Sequence, residues 1–295
     1  MSGGAPVSDV RTFWEEHPVG VHLVDEALDS AWFFDAYRSY RYRTEWHIRE
    51  LVPFASAVGQ RVLEIGCGMG ADGSCFAEAG ARYVAVDLTE TALTASRRHF
   101  RGVGLEGGFV RGSGEDLPFA DGSFDLVYSH GVLHHTPRTE RAFDEVHRVL
   151  RPGGRFVVML YHRHSFNYYV RIMLAMRAAV LGYTAARRLG FARPAPVAST
   201  RERHYAMVER HGWSYFRARE FVNHCTDGPE CPIARAYSRR QVAQMLGRFE
   251  DVRFAVAHFP LRKSLAWVPL GVERVLARTM GWYLFAYARK RAGAA

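Results

Sequence analysis

The sequence predicts an α/β protein built on a mostly parallel sheet of seven strands, with helices on both faces. Short apolar segments alternate with helical segments over residues 61–160, and this alternation resumes after residue 237. Strands without an exposed polar face are typical of parallel sheets, because helices cover both sides. Residues 1–60 and 161–236 lack the alternation, so we expect a helical N-terminal cap and an inserted lid after the fifth strand.

The N-terminal cap is predicted to be helical from residue 12 to residue 58 and is rich in aromatic side chains. Phe33, Tyr37 and Tyr40 recur at the spacing of one helix face. Two interpretations of this face stay open. The rings either pack the cap onto the main domain or close over a ligand.

The core at residues 61–160 is expected to bind a cofactor, and its elements can be placed from the pattern. The segment at residues 151–154 (RPGG) ends a helix cleanly, since proline and glycine do not continue one. Predicted strands are 61–65, 83–87, 108–111, 124–129 and 155–160, and predicted helices are 71–79, 90–100 and 140–150.

The lid at residues 161–236 should contain one long amphipathic helix at 167–189, followed by a mobile loop at 193–203. Residues 223–232 are dense in turn formers. The chain then returns to the core: residues 237–295 are expected to complete the sheet. Here the pattern predicts a helix at 238–248 and strands at 252–259 and 282–288.

Charge and cysteine content exclude some classes of protein. The net charge of +9 divides into −6 for residues 1–160 and +15 for residues 161–295. A solvated basic surface, an anionic small molecule or lipid surface, and nucleic acid are all compatible with this asymmetry. No nucleic-acid-binding module is visible, so we expect no such partner.

The four cysteines are too scattered for a disulfide scaffold, and without a signal sequence or membrane span a cytoplasmic location is expected.

A glycine-rich turn joins the first predicted strand to the first helix of the core. Gly66, Gly68 and Gly70 let the backbone take positive φ angles and let a ligand approach it closely. The helix that follows offers free N–H groups at its start. Asp87 ends the next strand about twenty residues later, where a carboxylate can accept hydrogen bonds from ribose hydroxyls.

Five segments occur in the order found in class I S-adenosylmethionine-dependent methyltransferases, which the chain therefore resembles. Within that Rossmann-like family it looks most like the small-molecule branch that includes ubiquinone- and menaquinone-type enzymes. A dinucleotide oxidoreductase would also place an acid at Asp87, but it has no reason to carry the later segments. The five segments are residues 62–70, 86–88, 112–119, 124–135 and 148–155.

The resemblance implies S-adenosylmethionine as cofactor and assigns roles around it. The glycines would lie against its methionine part, Glu64 near its ammonium group, and Asp87 at its ribose. Where the family usually has an aspartate for the adenine amino group, this chain has Ser113. Either Ser113, Glu115, Asp116 or the backbone makes that contact. The expected cofactor-binding residues are Glu64, Gly66, Cys67, Gly68, Gly70, Asp87, Leu88, Ser113, Gly114, Glu115, Ser129, His130 and His134.

Methyl transfer needs mainly alignment and a dry pocket, and a general base only where the acceptor must lose a proton. Tyr42 and His47 in the cap and His162 after the fifth strand are the expected catalytic residues. Further histidines near the strand ends or in the caps are candidates for the base. They are His130, His134, His164 and His224.

A metal site is not expected. His224, Cys225 and Cys231 lie close together in the sequence, but the spacing of the two cysteines is too wide for the usual zinc pair.

The predicted function is methylation of a small aromatic or heteroaromatic metabolite, because tyrosine, phenylalanine and tryptophan are abundant in the caps. A membrane-surface methyltransferase for a prenylated or quinone acceptor is the main alternative. A catalytically silent binding protein with the same fold is another. The acceptor, the atom methylated and the oligomeric state do not follow from the sequence.

Overall fold

The computed structural model describes residues 5–20, 32–197, 199–261, 265 and 267–292. Strands in this part of the chain are β1 (Arg61–Ile65), β2 (Arg82–Asp87), β3 (Gly108–Arg111), β4 (Phe124–His130), β5 (Leu150–His162), β6 (Ala236–Tyr237), β7 (Phe249–Ala257) and β8 (Tyr283–Lys290). They form one sheet in the order β3-β2-β1-β4-β5-β8-β7, with the short β6 beside β5. Strand β8 is antiparallel to its neighbours β5 and β7, and the other pairs are parallel. The predicted seven-stranded, mostly parallel sheet is confirmed, and β6 is a two-residue addition.

Helices surround the sheet on both faces. The α-helices are α1 (Val7–Glu16), α2 (Phe33–Thr44), α3 (His47–Leu51), α4 (Ala71–Glu78), α5 (Glu90–Gly102), α6 (Thr139–Val149), α7 (Arg177–Arg188), α8 (Thr200–His211), α9 (Ala218–Asn223), α10 (Arg239–Met245) and α11 (Leu270–Met280). A π-helix at Asn167–Met176 runs directly into α7, and short 3-10 turns lie at Phe54–Ala57, Leu133–His135 and Gly212–Phe216. Helix α11 is not indicated by any sequence pattern named above.

Consecutive strand residues point to opposite faces and feed two separate cores. Leu63 packs in the core beneath α6 and α10, whereas its neighbour Val62 packs in the core beneath α4 and α5. Both side chains are fully buried. Each such side chain contributes about 1.5–3 kcal/mol to folding, which explains why these strands are apolar throughout.

Strand β1 lies between β2 and β4, so the chain winds in opposite directions on its two sides. In sheets of this kind ligands bind outside the carboxyl ends of the strands at that reversal. The fold therefore directs attention to the loops that follow β1, β2, β3 and β4.

The N-terminal cap is helical, as predicted, in its described residues 5–20 and 32–57, and residues 21–31 lie outside the described part. Helix α2 is anchored on α4 by an ion pair between Arg38 and Glu78. The Tyr42 hydroxyl oxygen also lies 3.1 Å from the Ala71 carbonyl oxygen on α4.

The lid has a small core of its own. The predicted helix at 167–189 is present as the π-helix and α7, and Tyr168 and Ile172 on its inner side pack with Tyr215. The loop predicted at 193–203 ends earlier, because Ser199 caps α8 by accepting a hydrogen bond from the Glu202 N–H. No helix in the described ranges has the length and apolar character that crossing a membrane requires.

Candidate active site

A cavity of about 720 Å³ lies at the carboxyl ends of the central strands. Its floor is made by the loops after β1, β2, β3 and β4. Its walls include residues of α1 and α2, one residue of the lid, Asp227, and Tyr283 at the start of β8. Its volume is in the range of cofactor and small-molecule sites.

The glycine turn presents bare backbone to this cavity. Gly66 has φ +82°, and a Cβ atom there would lie 2.1 Å from a Val132 methyl group. Gly68 has φ +50°, and no atom lies within 4 Å of the position a Cβ would take. Gly70, with φ +76°, starts α4 and does not reach the cavity wall defined by the described residues. A ligand can therefore lie directly against residues 66–68.

Two carboxylates flank the turn. Asp87 lines the cavity, and its Oδ1 accepts hydrogen bonds from the Thr89 N–H at 2.9 Å and hydroxyl at 2.8 Å. Glu64 lines the cavity and accepts a hydrogen bond from the Tyr83 hydroxyl. Burial raises the pKa of both carboxyls, and for Glu64 the Asp72 charge adds to the effect. A cationic or hydroxyl-rich ligand would stabilise their charged forms. Cys67 and Leu88 also line the cavity.

The loop after β3 contributes Ser113, Gly114 and Glu115 to the wall. Both oxygens of the Glu115 carboxylate are held by Arg138, from its N–H at 2.6 Å and its Nε at 3.0 Å. The Ser113 hydroxyl oxygen accepts from the Glu115 N–H at 3.2 Å, which leaves the hydroxyl proton to be donated. Asp116 is not part of the described wall. Because Arg138 already binds both oxygens of Glu115, Ser113 or the backbone is better placed than this carboxylate to recognise an adenine base.

Three predicted cofactor-binding residues, at the end of β4 and in the loop after it, differ in whether they line the cavity. His130 lines the cavity, whereas Ser129 is buried and donates to the Ile65 carbonyl at 3.0 Å. His134 is fully buried, with its ring centroid 3.9 Å from that of Tyr161, and burial lowers its pKa. Ser129 and His134 thus support the wall from behind.

None of the three predicted catalytic residues belongs to the cavity wall formed by the described residues. Tyr42 is buried, and its hydroxyl donates to Asp72 Oδ1 at 2.9 Å. Burial lowers the pKa of His47 to about 3. His162 has its Nδ1 3.1 Å from the Gly281 carbonyl oxygen. This placement gives their predicted catalytic roles no support.

A sequence neighbour of each predicted catalytic residue, and of His134, lines the cavity. Arg41, Trp46, Tyr161 and His135 lie beside Tyr42, His47, His162 and His134 in the sequence. Adjacent residues point to opposite faces of a strand and about 100° apart on a helix. The predicted side chains therefore point away from the cavity that their neighbours line.

One wall of the cavity carries a closed network of charges, here called the Arg41 cluster: Arg41, Glu45, Asp72, His130 and Tyr283. The Arg41 guanidinium donates to Asp72 at 3.0 and 2.6 Å and to Glu45 at 2.8 Å. The Tyr283 hydroxyl donates to Glu45 at 2.7 Å. Burial raises the pKa of both carboxyls, but the Arg41 charge outweighs it, so the pKa of Asp72 is below its usual range and that of Glu45 is about 2.

The Arg41 cluster also fixes the tautomer of His130. Arg41 Nη2 lies 3.3 Å from His130 Nδ1, and a guanidinium can only donate. The Nδ1 atom therefore accepts, and the ring proton is on Nε2, which has no partner among the described residues. Burial and then the Arg41 charge lower the pKa of His130 to about 4, so the ring is neutral at pH 7. The Nε2–H donor is itself buried, so it is not presented at the cavity surface.

A smaller group, here called the His135 cluster, contains His135, Tyr161 and Asp227 of the cavity wall and the buried Cys231, which is not part of the described wall. The rings of Tyr161 and Tyr283 stack with their centroids 6.4 Å apart, so the two clusters are neighbours. His135 Nδ1 lies 2.5 Å from the Ile233 carbonyl oxygen, and its Nε2 lies 3.7 Å from Asp227 Oδ2. The Tyr161 hydroxyl lies 3.1 Å from both Asp227 oxygens. Neither His135 nor Asp227 was among the predicted site residues, and the turn-dense segment around Asp227 was the only indication of it.

Comparison with known proteins identifies the central region. Residues 63–158 match a family model described as a methyltransferase domain. A fatty-acid O-methyltransferase from Mycolicibacterium smegmatis is 43% identical over 105 residues, which are 35% of this chain and 38% of that protein. A demethylmenaquinone methyltransferase from Clavibacter sepedonicus is 35% identical over 113 residues, 38% of this chain and 46% of that protein. The chain thus spans less than half the length of either relative.

The fold is shared more widely than the sequence. A solved S-adenosylmethionine-dependent methyltransferase from Mesorhizobium loti has a TM-score of 0.50 and 22% identity, covering 87% of this chain and 99% of that one. Similarity at this level shows the fold alone. Residues 63–158 thus match a methyltransferase domain, and the chain shares its fold with a solved S-adenosylmethionine-dependent methyltransferase.

Proposed function

We propose that this protein transfers a methyl group from S-adenosylmethionine to a small lipophilic acceptor that carries an aromatic or quinone-like ring. The observation that carries the proposal is one cavity with two unlike ends. The open backbone at Gly68 and the carboxylates Glu64 and Asp87 lie on its floor, and aromatic cap residues lie above them.

The floor of the cavity fits the cofactor. A buried carboxyl at Glu64 whose pKa is raised by burial is the group that an ammonium ion would stabilise in its charged form. Asp87 would accept from the ribose hydroxyls, and residues 66–68 would lie along the methionine part. When bound, S-adenosylmethionine supplies an activated methyl group on a sulfonium.

The remaining wall fits an apolar acceptor. Val10 and Trp14 from α1 and Tyr37 and Tyr40 from α2 line it, so the cap provides rings and aliphatic groups beside the charged Arg41, Arg43 and Glu45. Aromatic side chains recognise flat rings by stacking and by edge contacts. The two relatives are named for a fatty acid and a menaquinone precursor, both lipophilic molecules, which supports the same class of acceptor here.

The chain's own contribution to the reaction would be alignment and exclusion of water. Methyl transfer is an in-line displacement, so holding the acceptor atom opposite the sulfur removes much of the barrier. The cap would shield the reacting atoms from solvent.

Calorimetry with S-adenosylhomocysteine tests the proposal. We expect binding by the wild type and a loss of about 1.5–3 kcal/mol, roughly 10- to 150-fold in Kd, for Asp87→Asn, because a charged acceptor of hydrogen bonds is removed. Asp121→Asn, at an exposed carboxylate paired with Arg148, is the matched control and should bind like the wild type. A folded wild-type protein that does not bind S-adenosylhomocysteine would overturn the proposal.

A second candidate is that the acceptor is collected at an anionic membrane surface. The outward side of the helical run from Asn167 to Arg188 and its continuation exposes large apolar side chains, with Leu174 66% and Phe191 83% exposed. Apolar residues exposed on this scale along one helix are typical of an interaction surface. The exposed large apolar residues of this lid face are Phe166, Tyr169, Val170, Leu174, Leu181, Leu189, Phe191 and Trp213.

The charge of the lid selects the partner. Residues 163–201 contain seven arginines and no acidic residue. Arg171, Arg188 and Arg193 are exposed beside the apolar residues, and the Arg188 guanidinium lies 5.8 Å from the centre of the Trp213 ring. An apolar helix face bordered by arginine is the pattern of interfacial helices that bind anionic lipids. A second copy of the chain would instead bring two arginine-rich segments together.

Flotation with liposomes tests this candidate. The wild type should float with phosphatidylglycerol vesicles and remain at the bottom with phosphatidylcholine vesicles, while a Leu174→Glu/Phe191→Glu variant should not float with either. The matched control is Val103→Glu. This valine follows α5, outside the lid, and is exposed, so the variant should float like the wild type. A wild type that stays at the bottom, or that forms a dimer which the double variant dissolves, would contradict lipid binding.

A further inference from the structure

We propose that His135 is the general base of the reaction and that the acceptor is methylated on a hydroxyl oxygen. The inference rests on the proposed function and deepens it. It comes from the His135 cluster, which places an imidazole nitrogen with a free lone pair and a carboxylate side by side on the cavity wall.

The tautomer of His135 is set by the main chain. Its Nδ1 lies 2.5 Å from the Ile233 carbonyl oxygen, and a carbonyl can only accept, so the ring proton is on Nδ1. The lone pair is therefore on Nε2, the nitrogen that lies 3.7 Å from Asp227 Oδ2. This leaves an acceptor of protons on the cavity wall, whereas the ring proton of His130 is on a buried Nε2.

Asp227 is placed to stabilise the protonated ring. The hydroxyls of Tyr161, at 3.1 Å, and Thr226, at 2.6 Å, donate to its carboxylate and hold it beside the ring. A carboxylate beside the ring stabilises the imidazolium that forms when the base takes a proton. Asp227 is thus a positioning residue, because it acts through His135.

The other groups around His135 do not compete for the proton. His134 packs its ring 4.3 Å from that of His135, and burial lowers its pKa. Burial raises the pKa of the Cys231 thiol, so this group stays neutral. Trp14 places an edge against the ring at 5.0 Å, and Arg235 is directed to the Thr136 carbonyl at 3.0 Å. The single anion facing His135 among these neighbours is Asp227.

The step balances as follows. The acceptor oxygen forms a bond to the methyl carbon while the sulfur–methyl bond breaks and its electron pair stays on sulfur. The hydroxyl proton passes to His135 Nε2 and leaves to solvent after the product departs. A phenol or an enol needs such a base, because its neutral oxygen is a weak nucleophile, whereas a carboxylate acceptor does not.

A metal ion is the competing interpretation of the same residues. Ligand atoms of His135, Asp227 and Cys231 lie within 4.8 Å of one another. However, Cys231 Sγ lies 3.9 Å from His135 Nδ1, the nitrogen that already donates to Ile233, while Asp227 lies at Nε2. An ion bound through Nε2 requires all ligands about 2.0–2.3 Å away on that side, and the thiol is on the other.

The test uses the full chain with tritium-labelled S-adenosylmethionine, para-octylphenol as the hydroxyl acceptor and dodecanoate as the carboxylate acceptor. Rates are measured between about pH 6 and about pH 9, the range in which histidine bases titrate. Variants are His135→Gln, Asp227→Asn and, as control, His147→Gln at a partly exposed histidine of α6 outside the cavity. Thermal unfolding and S-adenosylhomocysteine binding are recorded for each.

With the phenol, kcat/KM of the wild type should rise with pH through one ionisation. His135→Gln should lower it roughly 100- to 10,000-fold and abolish that ionisation, with cofactor affinity retained. Asp227→Asn should give a smaller loss, in kcat rather than in KM, and the control should match the wild type.

The inference is overturned if a protein that binds S-adenosylhomocysteine methylates dodecanoate but not the phenol, or neither. It is also overturned if His135→Gln keeps the wild-type profile, or if a chelator abolishes activity that zinc restores. Absence of S-adenosylhomocysteine binding would instead overturn the proposed function on which the inference depends.

Discussion

The two polar clusters of the cavity use similar residues in opposite ways. In the Arg41 cluster the guanidinium is bound to two carboxylates at 2.6–3.0 Å, and both carboxylates accept tyrosine hydroxyls as well. In the His135 cluster one carboxylate faces one imidazole at 3.7 Å, without a cation to close the network. The charges of the Arg41 cluster are paired without a ligand. In the His135 cluster, His135 and Asp227 form an ion pair only when His135 is protonated.

Because of this difference, we expect the Arg41 cluster to stabilise the fold and the His135 cluster to affect the reaction. A buried charge network that is fully paired is costly to break, because one lost partner leaves an uncompensated charge. Its histidine is held as a donor and has a lowered pKa, so it is unsuited to accept a proton at neutral pH. Substitutions in the Arg41 cluster should therefore change the free energy of unfolding most, and those in the His135 cluster the rate of reaction.

The largest expected effect on stability is that of Arg41→Met. The variant leaves the buried Asp72 carboxylate with tyrosine hydroxyls but without its cation, and we expect a loss of about 3–5 kcal/mol in the free energy of unfolding, measured with urea. Arg43→Met, two residues along the same helix at an exposed position, is the matched control and should cost less than about 1 kcal/mol. Equal losses for the two variants would show that the Arg41 network does not stabilise the fold.

An intermediate effect is expected from acid. The pKa of Glu45 falls from 4.5 to about 2 on folding, so its ionised form contributes stability above pH 4.5 that is lost as the pH falls toward 2. Relative to Glu45→Gln, the wild type should be more stable by on the order of 3 kcal/mol at pH 6, and this advantage should shrink across that window. Urea unfolding at a series of pH values measures it, and an advantage independent of pH would argue against an ionised Glu45.

The smallest effects come from a matched pair of hydroxyl deletions. Tyr283→Phe removes a donor to Glu45 and should cost about 1 kcal/mol of stability while leaving the pH–rate profile in place. Tyr161→Phe removes a donor to Asp227 and should change the profile more than the stability. The two variants are compared by urea unfolding and by phenol methylation across pH. The same pattern in both would remove the distinction between the clusters.

The fold was accessible from sequence because its determinants are local. Apolar strands, the glycine turn at residues 66–70 and the helix stop at residues 151–154 each specify their own segment. Their alternation predicts a mostly parallel sheet but not the order of its strands, which only the structure gives. Helix α11 was not predicted, because no helix cap or apolar periodicity was identified between the predicted strands at 252–259 and 282–288. The early start of α8 depends on one cap, Ser199.

The site was accessible in part. Asp87, Glu64 and the glycines lie on the cavity floor as the resemblance implied, because strand ends fix their direction. The wall with the Arg41 cluster was not, since whether Arg41 or Tyr42 faces the cavity depends on how α2 rotates against α4. Asp227 comes from the lid, and only the packing of that insertion brings it within 3.7 Å of His135.

The two clusters differ in which ring nitrogen of their histidine, His130 or His135, carries the proton. Nitrogen-15 NMR of the histidine side chains, assigned with the His130→Asn and His135→Gln variants, measures it directly at neutral pH. We predict the Nε2–H tautomer for His130, whose Nδ1 accepts from Arg41, and the Nδ1–H tautomer for His135, which donates to Ile233. Finding the same tautomer at both positions, or a proton on Nε2 of His135, would contradict the account.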